Sequence, residues 1–302
     1  MREDNFDKLY RNVSEDKKDL LRKFRSTHKY RKVKIHNIDW KYISGDRGKE
    51  ALLLLTGGTG ISEAMAFLFA PLEDEYRIIC PSYSPVETME MLVDGIVGIL
   101  ESEGINKTNI IGQSFGGIVA QAIVHRYPDR VGKLILSHTT TTSPPVDEAI
   151  ASKKKKGIEM FKVFYLLPSW LFRFLIGRLL SIKISKISRM SLMDAEEREF
   201  WHTYFIEMIS HMTKKELSSI DKCMIDFAEN YKFTRNDLAD WPGKILIFES
   251  DKDTALQPSE KNAVKKLYPQ AQVHRFKGSG HLSLIINPEK SISIVRSFLS
   301  GK

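Results

Sequence analysis

Two spacings of hydrophobic residues follow one another along the chain, and the change falls near residue 30. Residues 1–29 carry a sparse apolar set at helical spacing, with Ser14 suited to cap a helix. From Tyr30 the apolar positions are typical of two short strands, and we expect the hairpin to turn at residues 44–46. The pattern therefore predicts an N-terminal helical arm and a β-hairpin that opens the main domain.

Strand-like and helix-like segments then alternate. Apolar runs predict strands at residues 51–55, 76–80, 109–113 and 133–137, with helices from residue 62 and at residues 86–102 and 116–126. After two prolines at residues 144 and 145, only helices are predicted as far as residue 235. Strands at 244–248 and 272–276 and helices from Pro258 and Pro288 then resume the alternation. This order predicts a mostly parallel, doubly wound α/β sheet with a helical insertion.

The predicted organisation has four parts. Residues 1–29 form the arm, 30–144 and 236–302 form the α/β core, and 145–235 form a helical cap. The most apolar stretch, residues 163–172, is far short of the ~20 residues that cross a bilayer. The charged N-terminus also lacks the apolar run of a secretory signal.

Composition and cysteine content place the chain among soluble globular proteins. Its 302 residues are 42% hydrophobic and 28% charged. The two cysteines, Cys80 and Cys223, form neither a disulfide framework nor a usual zinc-ligand spacing. We therefore expect a cytoplasmic protein.

The excess of positive charge is local. The net charge is +8, and residues 151–190 hold ten basic residues against the single acidic residue Glu159. Because no basic stripe with interleaved aromatic residues runs through the chain, we expect no nucleic-acid partner. The basic run 153–156 is either a solvated face or part of a cap that makes weak contact with an anionic membrane.

The segment Gly112-Gln113-Ser114-Phe115-Gly116 carries the main chemical signal. It has the G-x-S-x-G pattern and lies between an apolar strand and a helix of small apolar residues. A sharp turn there would lift the Ser114 hydroxyl above the sheet, and glycines at 112 and 116 remove side chains that would collide. Ser114 is therefore the candidate nucleophile.

A serine hydroxyl near pH 7 needs a base and a group that orients the base. His281 follows the last predicted strand in the small-residue loop Gly278-Ser279-Gly280, and is the best candidate base. Three carboxylates, Glu249, Asp251 and Asp253, follow the strand at 244–248 and compete for the orienting role. The other seven histidines are interpreted as structural, although His138, at a strand end, could line the site.

A developing oxyanion needs two hydrogen-bond donors. The backbone N–H of Phe115, which follows the nucleophile, is one candidate. The glycine-rich loop at residues 56–60 offers the N–H of Gly58 as the second. A phosphate-binding loop is disfavoured because no Gly-Lys-Ser/Thr follows these glycines.

With these motifs, residues 30–302 resemble the α/β-hydrolase superfamily, with a helical cap between two core segments. The resemblance implies the chain order Ser, acid, His, with the acid about five residues beyond its strand. That spacing favours Asp253, with Asp251 as the alternative acid. It also implies that Gly58 and Phe115 form the oxyanion hole.

The chain departs from the commoner superfamily pattern at one position. Thr56 stands where a histidine usually precedes the glycine, which puts the oxyanion-loop geometry in question. A weaker resemblance, carried by Gly112–Gly117, 267–269 and 277–280, is to maspardin-type members, some of which lack a complete triad and act through binding.

The sequence therefore predicts a serine hydrolase that acts through an acyl-enzyme, most simply on a carboxylic ester, with lactone, amide and C–C bonds left open. Ser114 in place of an aspartate disfavours epoxide hydrolase chemistry. The apolar residues at 158–182 suggest a small, partly apolar substrate, unless they form only the core of the cap. No metal or cofactor is needed for this chemistry. The alternative is a non-catalytic protein that binds a ligand or partner.

Overall fold

The computed structural model describes residues 3–142, 165–168, 171–172, 175–178 and 194–301. Its centre is an eight-stranded sheet with the order β1-β2-β4-β3-β5-β6-β7-β8. The strands are β1 (Arg31–Ile35), β2 (Ile38–Gly45), β3 (Glu50–Leu55), β4 (Tyr76–Ser82), β5 (Thr108–Gln113), β6 (Val131–Ser137), β7 (Lys244–Ser250) and β8 (Gln272–Phe276). Strands β3 to β8 are parallel, and β2 runs antiparallel to both β1 and β4. The predicted α/β class is confirmed.

Helices connect these strands. In the described ranges they are α1 (Glu3–Leu9), α2 (Glu15–Thr27), α3 (Ala66–Leu72), α4 (Met89–Ser102), α5 (Phe115–Arg126), α6 (Ala195–Ser210), α7 (Lys214–Asn230), α8 (Pro258–Leu267), α9 (Ser283–Ile286) and α10 (Pro288–Ser300). A 3₁₀ turn, Ser62–Met65, precedes α3. No helix within the described ranges is long and apolar enough to cross a membrane.

The strand order reverses direction at β3. The chain passes from β3 outward to β4, and then returns across β3 to β5 and on to β8. Because crossovers between parallel strands are right-handed, this reversal puts α3 on the face opposite to α4 and α5. In agreement, α4 contacts α5, and α3 contacts α10. The carboxyl ends of β3 and β5 thus border the crevice at which open α/β sheets bind ligands.

Three local predictions need correction. The first hairpin turns at His36 and Asn37, not at residues 44–46, which include the end of β2. Both turn residues have positive φ, as a two-residue hairpin turn requires, and asparagine adopts that conformation readily. Helix α4 begins at Met89 rather than at residue 86, because Thr88 caps it through the Met91 N–H. The short helix α9 was not predicted.

The N-terminal arm is helical as expected, and it docks through a buried charged group. The arm residues Tyr10 and Arg25 both hydrogen-bond Oε2 of Glu207 on α6, at 2.5 and 2.7 Å. Arg25 also binds Glu63 in the 3₁₀ turn, with Nε 2.7 Å from Oε1. Glu207 is 2% exposed, and burial raises the pKa of Glu63. Arg25 therefore holds two largely buried carboxylates against the arm.

The predicted cap is described only in part. Helices α6 and α7 lie in its second half, whereas the basic run 153–156 and most of the apolar segment 158–182 lie outside the described residues. Both the cap boundaries and the membrane contact therefore stay predictions. Ser14 occupies the N-cap position of α2 as expected, but its side chain makes no capping hydrogen bond.

We predict that Arg25→Met lowers the free energy of unfolding by about 3 kcal/mol, because it leaves the Glu63 and Glu207 carboxylates buried without their cation. Arg22→Met is the matched control. Arg22 pairs with the exposed carboxylates of Asp7, Glu15 and Asp19, so its loss costs less than about 1 kcal/mol. Urea unfolding at pH 7 measures both, and equal losses would contradict the prediction.

Candidate active site

The candidate site lies at the carboxyl edge of the parallel strands. Ser114 occupies the turn from β5 into α5, and the loop 56–60 follows β3, which pairs with β5. Asp253 follows β7, and His281 follows β8. These four segments meet at one edge because parallel strands all end there.

Ser114 has a strained backbone, with φ 53° and ψ −115°. Strand β6 and the segment after it hold this conformation from both sides. The Ser114 N–H donates to Ser137 O at 2.8 Å, and its carbonyl accepts from Thr139 Oγ1 at 2.8 Å. A strained residue persists only where its surroundings over-determine it, as they do here.

The flanking glycines permit a close approach between backbones. A Cβ at Gly112 would lie 2.4 Å from Gly116 O, and a Cβ at Gly116 would lie 2.2 Å from Leu55 O. A side chain at Gly116 would thus force the turn away from β3, and a side chain at Gly112 would force the first turn of α5 away from β5. The expectation that side chains would collide there is correct, and the colliding partner is backbone.

The structure brings Ser114, His281 and Asp253 into one hydrogen-bonded row. His281 Nε2 lies 2.9 Å from Ser114 Oγ, and His281 Nδ1 lies 3.0 Å from Asp253 Oδ2. The second oxygen of Asp253 accepts from the Ala255 N–H at 2.8 Å. Burial opposes the charged form of Asp253, but the hydrogen bond and charge of His281 outweigh it and lower the carboxyl pKa. An ionised Asp253 thus holds the proton-bearing Nδ1 of His281, which leaves Nε2 free to accept from Ser114.

The two competing carboxylates have other partners. Asp251 is exposed and accepts from the Ser279 N–H at 3.3 Å, and backbone hydrogen bonds lower its pKa. Glu249 pairs with Arg275 and Lys265. Of the three candidates, Asp253 is the one that contacts His281.

The predicted oxyanion donors face the same edge. The N–H of Phe115 is in the first turn of α5, where no intrahelical acceptor exists. A Cβ at Gly57 would lie 3.5 Å from the Ser114 Cβ, so the loop passes directly beside the serine. A Cβ at Gly58 would meet nothing within 4 Å, so Gly58 borders open space. Their roles as donors remain predictions.

Tyr83, which no sequence motif singles out, fixes that loop. The Tyr83 hydroxyl donates to Thr56 O at 2.6 Å, and its N–H donates to Gly60 O at 2.8 Å. Its ring packs edge-on against Phe115, with ring centroids 5.6 Å apart. Tyr83 thus ties together the two segments that carry the predicted donors. Its place just after β4, at the same edge of the sheet, was the only signal available.

The remaining predictions concern metals and the cap. In the part of the chain that the structure describes, no group of three His, Cys, Asp or Glu could hold a metal ion. Ile220 of α7 lies against the loop, 3.2 Å from where a Cβ at Gly60 would be. An apolar residue of the predicted cap region therefore lies above the candidate site.

The strain at Ser114 leads to a prediction about stability. We expect Ser114→Gly to be about 1 kcal/mol more stable to urea than Ser114→Ala, since both lose the hydroxyl but only alanine keeps a Cβ at this positive φ. At Ser218, in the interior of α7, the order should reverse, with glycine less stable than alanine. If glycine were the less stable variant at both positions, the strain argument would be wrong.

Comparison with known proteins agrees with this fold. A family profile described as the alpha/beta hydrolase fold matches residues 50–288. Epoxide hydrolase 4 of Homo sapiens is 30% identical over 122 residues, which are 36% of this chain and 34% of that protein. The chain thus matches about a third of the human relative's length.

Two further similarities cover more of the chain. The 2-hydroxymuconate semialdehyde hydrolase of Pseudomonas putida is 22% identical over 208 residues, which are 69% of this chain and 68% of that protein. The solved structure of a meta-cleavage product hydrolase from Pseudomonas fluorescens IP01 aligns with a TM-score of 0.65 at 20% identity. That alignment covers 90% of this chain and 97% of the other, and shows a shared fold.

Proposed function

The chain belongs to the α/β-hydrolase fold family, and from that premise we propose that it is a serine hydrolase with Ser114 as nucleophile. The single observation that carries the proposal is the row Ser114 Oγ, His281 Nε2, His281 Nδ1, Asp253 Oδ2, with separations of 2.9 and 3.0 Å. Nucleophile, base and orienting acid are then within hydrogen-bond reach of one another, as this chemistry requires.

The proposed reaction has two halves. His281 Nε2 takes the Ser114 proton as Oγ attacks the carbonyl carbon, and the N–H groups of Phe115 and Gly58 stabilise the oxyanion. His281 then gives that proton to the leaving group, and an acyl-enzyme remains on Ser114. A water molecule, deprotonated by His281, attacks the acyl carbon, and His281 then returns that proton to Ser114 Oγ as the bond between Oγ and the acyl carbon breaks and the acid is released. Asp253 stabilises the imidazolium in both halves.

A carboxylic ester is the simplest substrate for this arrangement, and lactone, amide or C–C bonds are alternatives of the same class. The similarity to a 2-hydroxymuconate semialdehyde hydrolase supports hydrolysis without fixing the type of bond. The name of the human relative suggests epoxide hydrolysis, but that chemistry uses a carboxylate nucleophile, and position 114 is a serine. We therefore do not extend epoxide hydrolysis to this chain.

A small, partly apolar substrate is the class that best suits the surroundings of Ser114. Phe115, Tyr83 and Ile220 are buried around the glycine loop. Tyr83 and Ile220 lie against Gly60 of that loop, and the Tyr83 ring packs on Phe115, so apolar side chains flank the loop beside Ser114. The polar groups that converge there are those of the proposed catalytic row and the backbone donors, which is the usual make-up of a small-molecule site.

We predict that Ser114→Ala and His281→Ala each abolish turnover of 4-nitrophenyl esters while the fold is kept, because triad members act as a unit. Turnover by the wild-type protein should be faster for butyrate and longer chains than for acetate. Covalent labelling by a fluorophosphonate probe should occur in the wild-type protein and be absent in Ser114→Ala. A folded wild-type protein that neither labels nor turns over would favour the non-catalytic binding function instead.

The two aspartates provide a matched pair for the acid role. Asp253→Asn should lower kcat by on the order of 10⁴-fold, since it removes the partner that orients His281. Asp251→Asn should leave kcat near the wild-type value, because Asp251 contacts the Ser279 backbone rather than His281. A greater loss in Asp251→Asn would transfer the role to that residue.

A further inference from the structure

A second histidine, His138, lies beneath the candidate site and is not used by the proposed reaction. It follows β6, is 2% exposed, and its ring centroid is 5.8 Å from that of His281. Its φ is 47°, a left-handed conformation that is uncommon outside glycine. Its N–H donates to Phe248 O at 2.9 Å, which holds the residue against β7.

His138 is the middle member of a chain of five polar side chains, each within hydrogen-bonding distance of the next. On one side, Nδ1 lies 2.8 Å from Ser137 Oγ, which donates to Gln113 Oε1 at 2.7 Å. On the other side, Nε2 lies 2.7 Å from Ser250 Oγ, which lies 2.7 Å from Ser283 Oγ. These five side chains are each at most 2% exposed, so the chain is sealed from solvent.

Both ends of this chain reach the backbone of His281. Gln113 Nε2 donates to His281 O at 2.9 Å, and Ser283 Oγ donates to Gly280 O. Those two carbonyls belong to the peptide groups on either side of the His281 Cα. The chain therefore fixes the two peptide planes that determine where the imidazole points.

Only an imidazole suits the middle position. Gln113 Oε1 and Gly280 O can only accept, and each serine has one hydrogen to give. Neutral His138 has one donor and one acceptor nitrogen on different sides of its ring, so Nδ1–H donates to Ser137 while Nε2 accepts from Ser250. Ser283 gives its one hydrogen to Gly280 O, so no hydrogen is left for a bond between Ser250 and Ser283. The fully bonded part therefore runs from His281 O through Gln113, Ser137 and His138 to Ser250. Burial, followed by the nearby charge of His281, lowers the pKa of His138 to about 3, so the neutral form is the one present near pH 7. The other charged groups acting on it are Asp253, which favours protonation, and Lys261, which opposes it.

We propose that His138 is a positioning residue for His281, acting through the hydrogen-bonded chain Gln113–Ser137–His138–Ser250, whose Gln113 end binds the His281 carbonyl. The proposal rests on the proposed function, since it assigns His138 a role only if His281 is the base. A displacement of reacting groups by about 1 Å can lower the rate on the order of 10²-fold. If the His281 loop is held less firmly, we therefore expect kcat to change more than KM.

The test compares the same substitution at two buried histidines. His138→Asn keeps a residue that tolerates positive φ but cannot reach both serines. His125→Asn is the control. His125, in the last turn of α5, stacks on Phe233 and hydrogen-bonds Tyr268, and neither of these residues belongs to the chain that reaches His281. For each we measure the rate of Ser114 labelling by a fluorophosphonate, kcat and KM for a 4-nitrophenyl ester, and urea unfolding.

We expect His138→Asn to slow labelling and lower kcat by about 10- to 100-fold with little change in KM, and His125→Asn to keep wild-type values of all three. Ser250→Ala and Ser137→Ala, which each remove one hydroxyl from the chain, should lower kcat in the same way and decide the matter if His138→Asn does not fold. Wild-type labelling rates in the folded chain variants would overturn the positioning role.

One reference variant separates the two proposals. If Ser114→Ala kept turnover, the proposed function itself would fail. If Ser114→Ala were inactive while His138→Asn matched the wild-type protein, only the role of His138 would fail.

Discussion

The close contact between the β5–α5 turn and the end of β3 is the constraint on which the candidate site depends. Gly116 lies so near Leu55 that a Cβ there would be 2.2 Å from the Leu55 carbonyl oxygen. This contact sets the distance between Ser114 and the loop that follows β3. It therefore also sets how near the Phe115 N–H lies to the loop that carries Gly58, the second of the two donors proposed for the oxyanion. The close approach requires a strained backbone at Ser114. Hydrogen bonds of its N–H to the Ser137 carbonyl and of the Thr139 hydroxyl to the Ser114 carbonyl stabilise that conformation.

Environment, rather than residue type, separates the three carboxylates after β7. Glu249 faces Arg275 and Lys265, Asp251 faces backbone amides and solvent, and Asp253 is buried against His281. Lys261 of α8 donates to the carbonyls of Ser250 and Asp253, at 3.2 and 3.1 Å, and so holds the loop between them. A shift of two residues along this loop would bring Asp251 to the position of Asp253. The path of the loop therefore decides which acid meets the histidine.

Much of this arrangement could be predicted from the sequence, because periodicity and glycine placement are local signals. Short stretches of sequence suffice to predict the alternating strands and helices, the turn at Ser114 and the loop of His281. The first hairpin could not be placed, since a turn at His36 and Asn37 lacks the usual glycine. Tyr83 and His138 were missed as supporting residues for a different reason. Their partners lie on other strands, and a hydrogen bond from Tyr83 to Thr56 spans 27 residues that no local pattern connects.

The same long-range contacts keep β6 and β7 paired although residues 138–243, which include helices α6 and α7, separate them along the chain. Ser137 at the end of β6 pairs in parallel register with Phe248 of β7, and the next residue, His138, donates to Phe248 O. Backbone pairing between β6 and β7 thus holds together the two ends of the intervening segment. Because the entropy of closing a loop grows only slowly with its length, a long insertion costs little more than a short one. The groups that hold Ser114 and the His281 loop come before residue 140 or after residue 247, so the sheet carries them independently of the inserted helices.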